Sequence, residues 1–221
     1  KLKNNERPFP MTIEVDLTNH CNHNCSFCCW KEDIAVDKST LDTKTIKKTI
    51  YEMKKLGTKA ICFTGGGEPM IHKDFYQILS FTKEKELDCG LITNGSAITK
   101  EHCAELINNL QWIRISISGG DAASYNKVQG KEHFERVISN ISMLAKEKIK
   151  KTNSFKIGIR MLLNEMNLYS LSKLAERIKN INGINYLQIS PNQFSNDEGK
   201  FWNGPEVKNE INKTEEILEQ S

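Results

Sequence analysis

The sequence predicts an α/β protein in which six parallel strands and their helices form an open (β/α)6 three-quarter barrel. Short runs of β-forming residues alternate with apolar stripes of helical length, which is typical of βαβ units with right-handed crossovers. One run, AICF at 60–63, is apolar throughout, as a strand buried in a parallel sheet would be. Because six units are too few for a closed eight-stranded barrel, we expect the sheet to stay open.

The elements follow a polar arm at residues 1–10, which contains Pro8 and Pro10. The segment 11–17 alternates apolar and polar residues and predicts the first strand. An apolar stripe predicts a helix over 41–56, and Gly57 is placed to end it. Later strands are expected at 60–63, 89–93, 112–118, 154–163 and 184–189. Later helices are expected at 75–81, 100–108, 122–128, 133–148 and 168–180.

The pattern divides the chain into an N-terminal arm at 1–10, a core domain at 11–191 and a C-terminal tail at 192–221. Within the tail, residues 194–203 are expected to form a loop. Pro205 suits the first turn of a terminal helix, because that position needs no backbone N–H donor.

Bulk composition narrows the functional classes. A chain of 221 residues with 38% hydrophobic content is sufficient for one domain with its own core. The net charge of +3 is too small to indicate a nucleic-acid partner. Neither an apolar run of membrane-spanning length nor a secretion signal is present, so a cytoplasmic protein is expected. Seven cysteines, an odd number with three tightly grouped, favour a metal site in a reducing compartment over a disulfide framework.

Three grouped cysteines, Cys21, Cys25 and Cys28, follow the first predicted strand at the spacing C-x3-C-x2-C. Iron–sulfur clusters are held by such thiolates, usually four of them. With three present, one position stays open, as in catalytic rather than structural metal sites. The alternative is a zinc site completed by His20 or His23, although the second paired half-site that is usual for zinc is missing.

The other cysteines are expected to be buried thiols that pack as small apolar side chains. For Cys29, which adjoins the cluster motif, the alternative is a catalytic role as a hydrogen-atom donor. Cys62 and Cys89 lie in predicted strands, and Cys103 lies in a predicted helix.

A glycine triplet, Gly65, Gly66 and Gly67, follows the second strand and precedes Glu68. Such a triplet is common in flexible turns. It also lets the backbone approach a ligand closely, so that its carbonyl groups accept hydrogen bonds from an ammonium group while Glu68 adds negative charge.

Other polar motifs also follow predicted strands, namely NG at 94–95 and SGGD at 118–121. Parallel α/β barrels place their active sites at these carboxyl ends, so we expect the motifs to converge. Inward-facing Ser116 and Ser118 would bring hydroxyl groups to a ribose or a carboxylate. Arg160, in the fifth strand, either faces inward to a ligand carboxylate or outward to solvent.

With these motifs the chain resembles the radical S-adenosylmethionine (radical SAM) enzymes. Cys21, Cys25 and Cys28 match that family's CxxxCxxC signature, with Phe27 as the aromatic residue before the last cysteine. GGE at 66–68 matches its glycine motif, and ITNG at 92–95 and ISIS at 115–118 look like its third and fourth strand segments. The similarity covers residues 12–191, nearly the whole folded part.

The resemblance implies a three-quarter TIM barrel with a [4Fe–4S] cluster on the three cysteines and S-adenosyl-L-methionine (SAM) at the open iron. It implies that the glycine motif with Glu68 holds the SAM amino group and that Ser116 or Ser118, with Arg160, touches its ribose or carboxylate. Phe27 and Asn94 are further candidates for cofactor contact. The implied enzyme, an oxidoreductase or lyase, cleaves SAM reductively to a 5′-deoxyadenosyl radical that takes a hydrogen atom from the substrate. An electron donor such as flavodoxin or ferredoxin is the implied partner.

The substrate is not encoded in these motifs. The chain resembles the SPASM-type branch of the family, but it has no cysteine after Cys103 for an auxiliary cluster and departs from that branch at 118–121. An open barrel side suits a large substrate, so we expect a peptide that undergoes maturation or epimerisation. A sugar or nucleoside metabolite is the alternative substrate. A non-catalytic zinc protein and a redox iron–sulfur protein are the alternative classes.

Overall fold

A computed structural model describes residues 9–151, 154–191 and 198–220. Six strands form one sheet in the order β1-β2-β3-β4-β5-β6, and every neighbouring pair is parallel. Within the described residues, β1 and β6 are the two edges, so the sheet is open as predicted. The strands are β1 (Thr12–Asp16), β2 (Ala60–Thr64), β3 (Asp88–Thr93), β4 (Trp112–Ser116), β5 (Lys156–Leu163) and β6 (Tyr186–Pro191).

Helices connect the strands and pack on the outer face of the sheet. Their apolar sides bury, with the outward residues of the strands, a core in which Phe63, Ile113 and Ile159 are fully buried. The helices are α1 (Lys31–Val36), α2 (Thr43–Leu56), α3 (Phe75–Glu84), α4 (Lys100–Asn109), α5 (Ala122–Gln129), α6 (Phe134–Ile149), α7 (Leu171–Ile178), α8 (Glu198–Asn203) and α9 (Pro205–Glu219).

Local sequence signals fix the helix ends. The Asp42 side chain accepts hydrogen bonds from the Lys44 and Thr45 amides at the start of α2. Gly57 ends that helix as predicted, in a left-handed conformation with φ of 108°. Asp121 and Ser124 form a reciprocal capping box at the start of α5. This cap stabilises the helix whose C-terminal end forms hydrogen bonds with the cysteine loop.

The inner face of the sheet is polar and partly filled by two aromatic rings. A Cβ at Gly90 would overlap the Trp112 indole, and a Cβ at Gly158 would overlap the Tyr186 ring. Each glycine pairs in register with the aromatic residue on the next strand. Small and large residues therefore alternate across the strands, which is how barrel interiors are filled.

The C-terminal helix α9 packs against α7 and belongs to the same core. Val207 is buried in the hydrophobic cluster. The buried Glu210 side chain accepts a hydrogen bond from the Ser172 amide at the start of α7, where the helix dipole favours a negative charge.

The structure corrects several sequence-based boundaries. The short helix α1, directly after the cysteine loop, was not predicted. Residues 198–203, predicted as a loop, form α8, whereas 192–197 and 1–8 of the predicted arm lie outside the described residues. The fourth strand ends at Ser116, two residues before its predicted end. In the part of the chain that the structure describes, no helix is both long and apolar enough to cross a membrane.

Candidate functional site

A cavity of roughly 310 Å³ lies at the carboxyl ends of the strands, where the motifs were predicted to converge. It collects residues from the cysteine loop, the glycine motif and the ends of β3 to β6. Of the predicted site residues, the cavity is lined by Cys21, Cys25, Phe27, Cys28, Cys29, Gly65, Gly66, Gly67, Glu68, Asn94, Ser116 and Arg160. Ser118 does not line it.

The cysteine loop is anchored by the C-terminal end of α5. The Asn24 amide donates to the Gln129 carbonyl at 3.3 Å, and the Ser26 amide donates to the Val128 carbonyl at 2.8 Å. Inside the loop, the Cys28 amide donates to the Cys25 carbonyl at 3.3 Å, which makes a tight turn between these cysteines. The three motif cysteines therefore line one cavity without a disulfide.

The electrostatics of the loop favour a bound cation. The pKa of the Cys25 thiol is raised to about 12, first by burial and then by the negative charges of Cys21 and Cys28. Burial also raises the pKa of Cys21, and the charge of Glu68 adds to that effect. Metal ligands must be thiolates, so a positively charged metal centre would offset this crowding of negative charge.

A mononuclear site is not formed by the described residues. Among them, no three His, Cys, Asp or Glu side chains converge closely enough to hold one metal ion. A [4Fe–4S] cluster is held by thiolates on its several irons, so its ligands need not converge on one point. The soft, thiolate-only donor set of Cys21, Cys25 and Cys28 fits such a cluster.

Cys29 departs from its prediction as a buried thiol. It is exposed and lines the cavity beside Cys28, immediately before α1. The other three cysteines outside the motif, Cys62, Cys89 and Cys103, are buried as predicted.

The glycine motif is hydrogen-bonded to the start of the cysteine loop. The Gly67 amide donates to the Thr18 carbonyl at 3.0 Å, and the Glu68 amide donates to the His20 carbonyl at 2.8 Å. A Cβ at Gly67 would overlap the His20 carbonyl oxygen and lie 2.5 Å from that of Thr18. At this position glycine is required by contact between two backbone segments, in addition to any contact with a ligand.

The carboxylate of Glu68 joins the glycine motif to the end of β3. It accepts hydrogen bonds from the Thr93 hydroxyl at 2.6 Å, the Asn94 amide at 2.8 Å and the Met70 amide at 3.1 Å. The side chain is buried, and burial raises its pKa against the opposing effect of these donors. Since an ionised carboxylate has about four acceptor positions, one remains for a ligand.

The Asn94 side chain forms hydrogen bonds with two other side chains. Its amide group donates to Asn22 Oδ1 at 2.8 Å, inside the cysteine loop, and its carbonyl oxygen accepts from the Ser96 hydroxyl at 2.7 Å. The Asn22 side chain in turn donates to Ser96 at 2.9 Å. This triangle of side chains fixes the cysteine loop against the end of β3.

The two serines of the fourth strand segment have different environments. Ser116 faces the cavity, whereas Ser118 is buried and its hydroxyl accepts a hydrogen bond from the Leu162 amide at 3.3 Å. Arg160 lines the cavity and donates to the Ser190 hydroxyl at 3.2 Å. Its pKa is lowered first by burial and then by the positive charge of Arg114.

The sequence patterns did not predict that Gln129 and His133 support the cysteine loop. The Gln129 side chain accepts from the Ser118 amide at 2.7 Å, donates to the Ser116 carbonyl at 3.3 Å and lies 3.5 Å from the His23 ring. A hydrogen bond of 3.1 Å joins the His23 and His133 rings. Burial and the charge of the neighbouring groups lower the pKa of His23 to about 4, so this ring is neutral. No local motif signals contacts between residues this far apart in the sequence.

A model of the radical SAM superfamily matches residues 15–166. This chain belongs to the radical SAM superfamily. The match includes the end of β1, the cysteine loop, the glycine motif and strands β2 to β5, and it confirms the resemblance predicted from those motifs.

Relatives of this radical SAM chain include enzymes of two named activities. The AdoMet-dependent heme synthase of Methanosarcina barkeri is 29% identical over 179 residues, which are 80% of this chain and 49% of that protein. The probable GTP 3′,8-cyclase of Thermococcus kodakarensis is 25% identical over 172 residues, which are 76% of this chain and 54% of that protein. The chain thus spans about half the length of these relatives. As a member of the radical SAM superfamily, it is an enzyme.

Solved structures share the fold. SuiB of Streptococcus suis bound to S-adenosylmethionine superposes with a TM-score of 0.74 at 16% identity, covering 99% of this chain and 50% of that one. A radical SAM methyltransferase of Sphaerobacter thermophilus gives a TM-score of 0.67 at 13% identity, covering 97% of this chain and 65% of that one. These superpositions confirm the predicted partial barrel.

Proposed function

We propose that this chain binds a [4Fe–4S] cluster through Cys21, Cys25 and Cys28 and binds SAM beside it, within a core domain of residues 11–191. When bound, the cluster and SAM supply a one-electron cleavage to methionine and a 5′-deoxyadenosyl radical, which removes a hydrogen atom from the substrate. The observation that carries the proposal is that the three cysteines line the same cavity as the glycine motif and Arg160.

The chain's own groups have separate tasks in this proposal. The backbone of Gly65 and Gly66 and the remaining acceptor position of Glu68 bind the SAM ammonium group. The Arg160 guanidinium binds the SAM carboxylate, since a planar fork of donors matches two oxygens. Ser116 provides a hydroxyl for the ribose. Phe27 lines the same cavity and provides an aromatic surface for the rest of the cofactor.

Asn94 and Ser118 hold the segments that carry these groups in position. Asn94 fixes the cysteine loop through Asn22, and Ser118 fixes the start of the segment after β4 through Leu162. Both residues therefore position the cavity in our proposal, and Ser118 makes no direct contact with SAM.

Cys29 is proposed as the donor of a hydrogen atom to the substrate radical. This breaks its S–H bond and leaves a thiyl radical, which one electron from the flavodoxin or ferredoxin and one proton from solvent return to the thiol. Its thiol is exposed to the cavity and is separate from the three cluster ligands. In deuterated buffer the wild-type enzyme should then place deuterium at the reacting carbon. Product deuterium that is undiminished in Cys29→Ala would remove Cys29 from this role.

For the substrate we propose a peptide, with electrons supplied by a flavodoxin or ferredoxin in a reducing cytosol. The peptide is supported by the likeness in fold to SuiB, which has been crystallised with its precursor peptide SuiA. A nucleotide is the second candidate, supported by the similarity to the probable GTP 3′,8-cyclases.

The decisive experiment is anaerobic reconstitution with iron and sulfide, followed by reduction with dithionite in the presence of SAM. The wild-type protein should bind about four irons and release 5′-deoxyadenosine. Cys25→Ala should lose the cluster, whereas Cys29→Ala, a change of the same size in the same cavity, should keep it. A protein that binds one zinc and releases no 5′-deoxyadenosine would refute the proposal.

A further inference from the structure

An arginine lies in the barrel interior one layer below the cavity. Arg114 precedes Ser116 by two residues on β4, so it points to the same side of the sheet, about 7 Å nearer the amino end of the strand. Its register partner on β3 is Ile92, which lines the cavity, and its partner on β5 is Gly158. Arg114 does not line the cavity itself, but it lies directly beside Ile92, which does.

The guanidinium of Arg114 has unused donors. It is partly buried, and its Nη1 donates to Gln188 Oε1 on β6 at 3.3 Å. Its Nε is buried and has no hydrogen-bond partner among the described residues. A guanidinium has five N–H donors, and buried donors are normally paired, so this group is suited to an additional acceptor.

Aromatic rings support this arginine from the amino-terminal side. The Arg114 guanidinium carbon lies 5.9 Å from the centre of the Trp112 ring, which covers Gly90. The Tyr186 ring covers Gly158, the residue beside Arg114 on β5. Two aromatic rings thus lie on the amino-terminal side of the guanidinium and on the strand beside it.

Two like charges, those of Arg114 and Arg160, lie in this part of the interior. The charge of Arg114 lowers the pKa of Arg160, so the two like charges lie within electrostatic range. Within residues 9–151, 154–191 and 198–220, neither arginine forms an ion pair. The interior acids, Glu14 and Asp16, lie on β1, and Asp16 accepts a hydrogen bond from the Gly66 amide at 3.2 Å.

We propose that Arg114, with Gln188, is an oxyanion subsite that binds a carboxylate or a phosphate of the substrate. The inference rests on the proposed function, in which Arg160 is already used by SAM and leaves Arg114 for the second reactant. Two parallel N–H donors of a guanidinium bind either anion in a fixed orientation. The subsite would therefore hold the substrate below the cofactor and select substrates that carry an acidic group.

The first test maps arginine reactivity in the reconstituted wild-type protein with SAM bound. Phenylglyoxal modification is followed by peptide mass spectrometry, with succinate, inorganic phosphate or sodium chloride of equal ionic strength. Succinate or phosphate should slow modification of Arg114 at least fivefold, and the exposed Arg136 should be unaffected. An Arg114 that is not protected, or that does not react with the small reagent at all, would overturn the subsite.

The second test measures anion affinity from the rise in the thermal unfolding midpoint of the same holoprotein. Arg114→Met should raise the dissociation constant at least tenfold, and Arg114→Lys, which keeps the charge, should retain part of the affinity. Arg136→Met is the matched control and should resemble wild type. Tighter binding of succinate indicates a carboxylate substrate such as an acidic peptide, and tighter binding of phosphate indicates a nucleotide.

The two proposals fail in different ways. If the wild-type protein releases 5′-deoxyadenosine and Arg114→Met binds the anions as tightly as wild type, the proposed function stands and the subsite is refuted. A wild-type protein that forms no cluster and releases no 5′-deoxyadenosine loses the proposed function, whatever its affinity for anions.

Discussion

The Asn94 amide donates a hydrogen bond of 2.8 Å to Glu68 Oε2, which joins the glycine motif after β2 to the end of β3. Because the Glu68 amide also donates to the His20 carbonyl, one residue connects three consecutive segments at the carboxyl ends of the sheet. The geometry of the cavity thus depends on contacts within the protein, in addition to any contact with a cofactor. Glu68 is accordingly expected to contribute to stability as well as to binding.

Replacement of Glu68 by alanine should lower the free energy of unfolding by about 3 kcal/mol, because three donors lose their acceptor in a buried site. Glu68→Gln keeps one acceptor oxygen and should cost about half as much. Urea denaturation under reducing, anaerobic conditions measures both effects. The exposed Glu165→Ala is the control and should change stability by less than about 0.5 kcal/mol. Equal stability of Glu68→Ala and the control would contradict the bonding seen here.

Gly67 and Gly66 form a matched pair of neighbouring glycines. Alanine at Gly67 would force apart the backbones of the glycine motif and the cysteine loop and should destabilise the protein by about 3 kcal/mol. Alanine at Gly66 would lie 2.9 Å from the Asn19 side-chain oxygen, which is able to move, and should cost less than about 1 kcal/mol. Urea denaturation compares the two variants, and a larger loss for Gly66→Ala would show that the backbone contact is not limiting.

Asp121 provides a pH test of the cap that begins α5. The Lys173 ammonium and the Ser124 hydrogen bonds lower the pKa of this carboxyl from 3.8 to about 2. Because the folded-state pKa is the lower one, the stabilisation is present above the unfolded value and is lost as pH falls from about 4 to about 2. Wild type should therefore exceed Asp121→Asn in unfolding free energy at pH 6, and the difference should shrink towards pH 2.5.

The side chain of Asp121 is 37% exposed, so solvent screening keeps this difference small. If the difference in unfolding free energy between wild type and Asp121→Asn grows on acidification, the pKa of Asp121 is not lowered in the folded protein.

Sequence was most informative where the site is built from neighbours in the chain. The cysteine loop and the glycine motif are contiguous, and the parallel βα order places both at the same end of the sheet, so their convergence was predictable. Gln129 and His133 were not predictable, because they reach His23 across more than a hundred residues and follow no spacing rule. Cys29 was expected to be buried, but α1 begins two residues later and leaves it at an exposed turn.

The two serines show how a small error in a strand boundary changes a functional prediction. A strand over 112–118 would place Ser116 and Ser118 on one face, since alternate residues share a face. The strand ends at Ser116 instead, and the chain turns, so that Ser118 bonds to Leu162 while Ser116 keeps its place in the cavity. Periodicity alone does not locate the residue at which a strand ends.

Alanine substitution is expected to affect the two serines differently. Ser118→Ala should lower the free energy of unfolding by about 1 kcal/mol, since the Leu162 amide loses its side-chain acceptor, and should leave the SAM dissociation constant within twofold of wild type. Ser116→Ala should do the reverse, with unchanged stability and SAM binding weakened about fivefold, as expected for one lost hydrogen bond. Urea denaturation and equilibrium binding of SAM to the reconstituted protein measure the two quantities. Weaker SAM binding in Ser118→Ala than in Ser116→Ala would show that SAM contacts the buried serine after all.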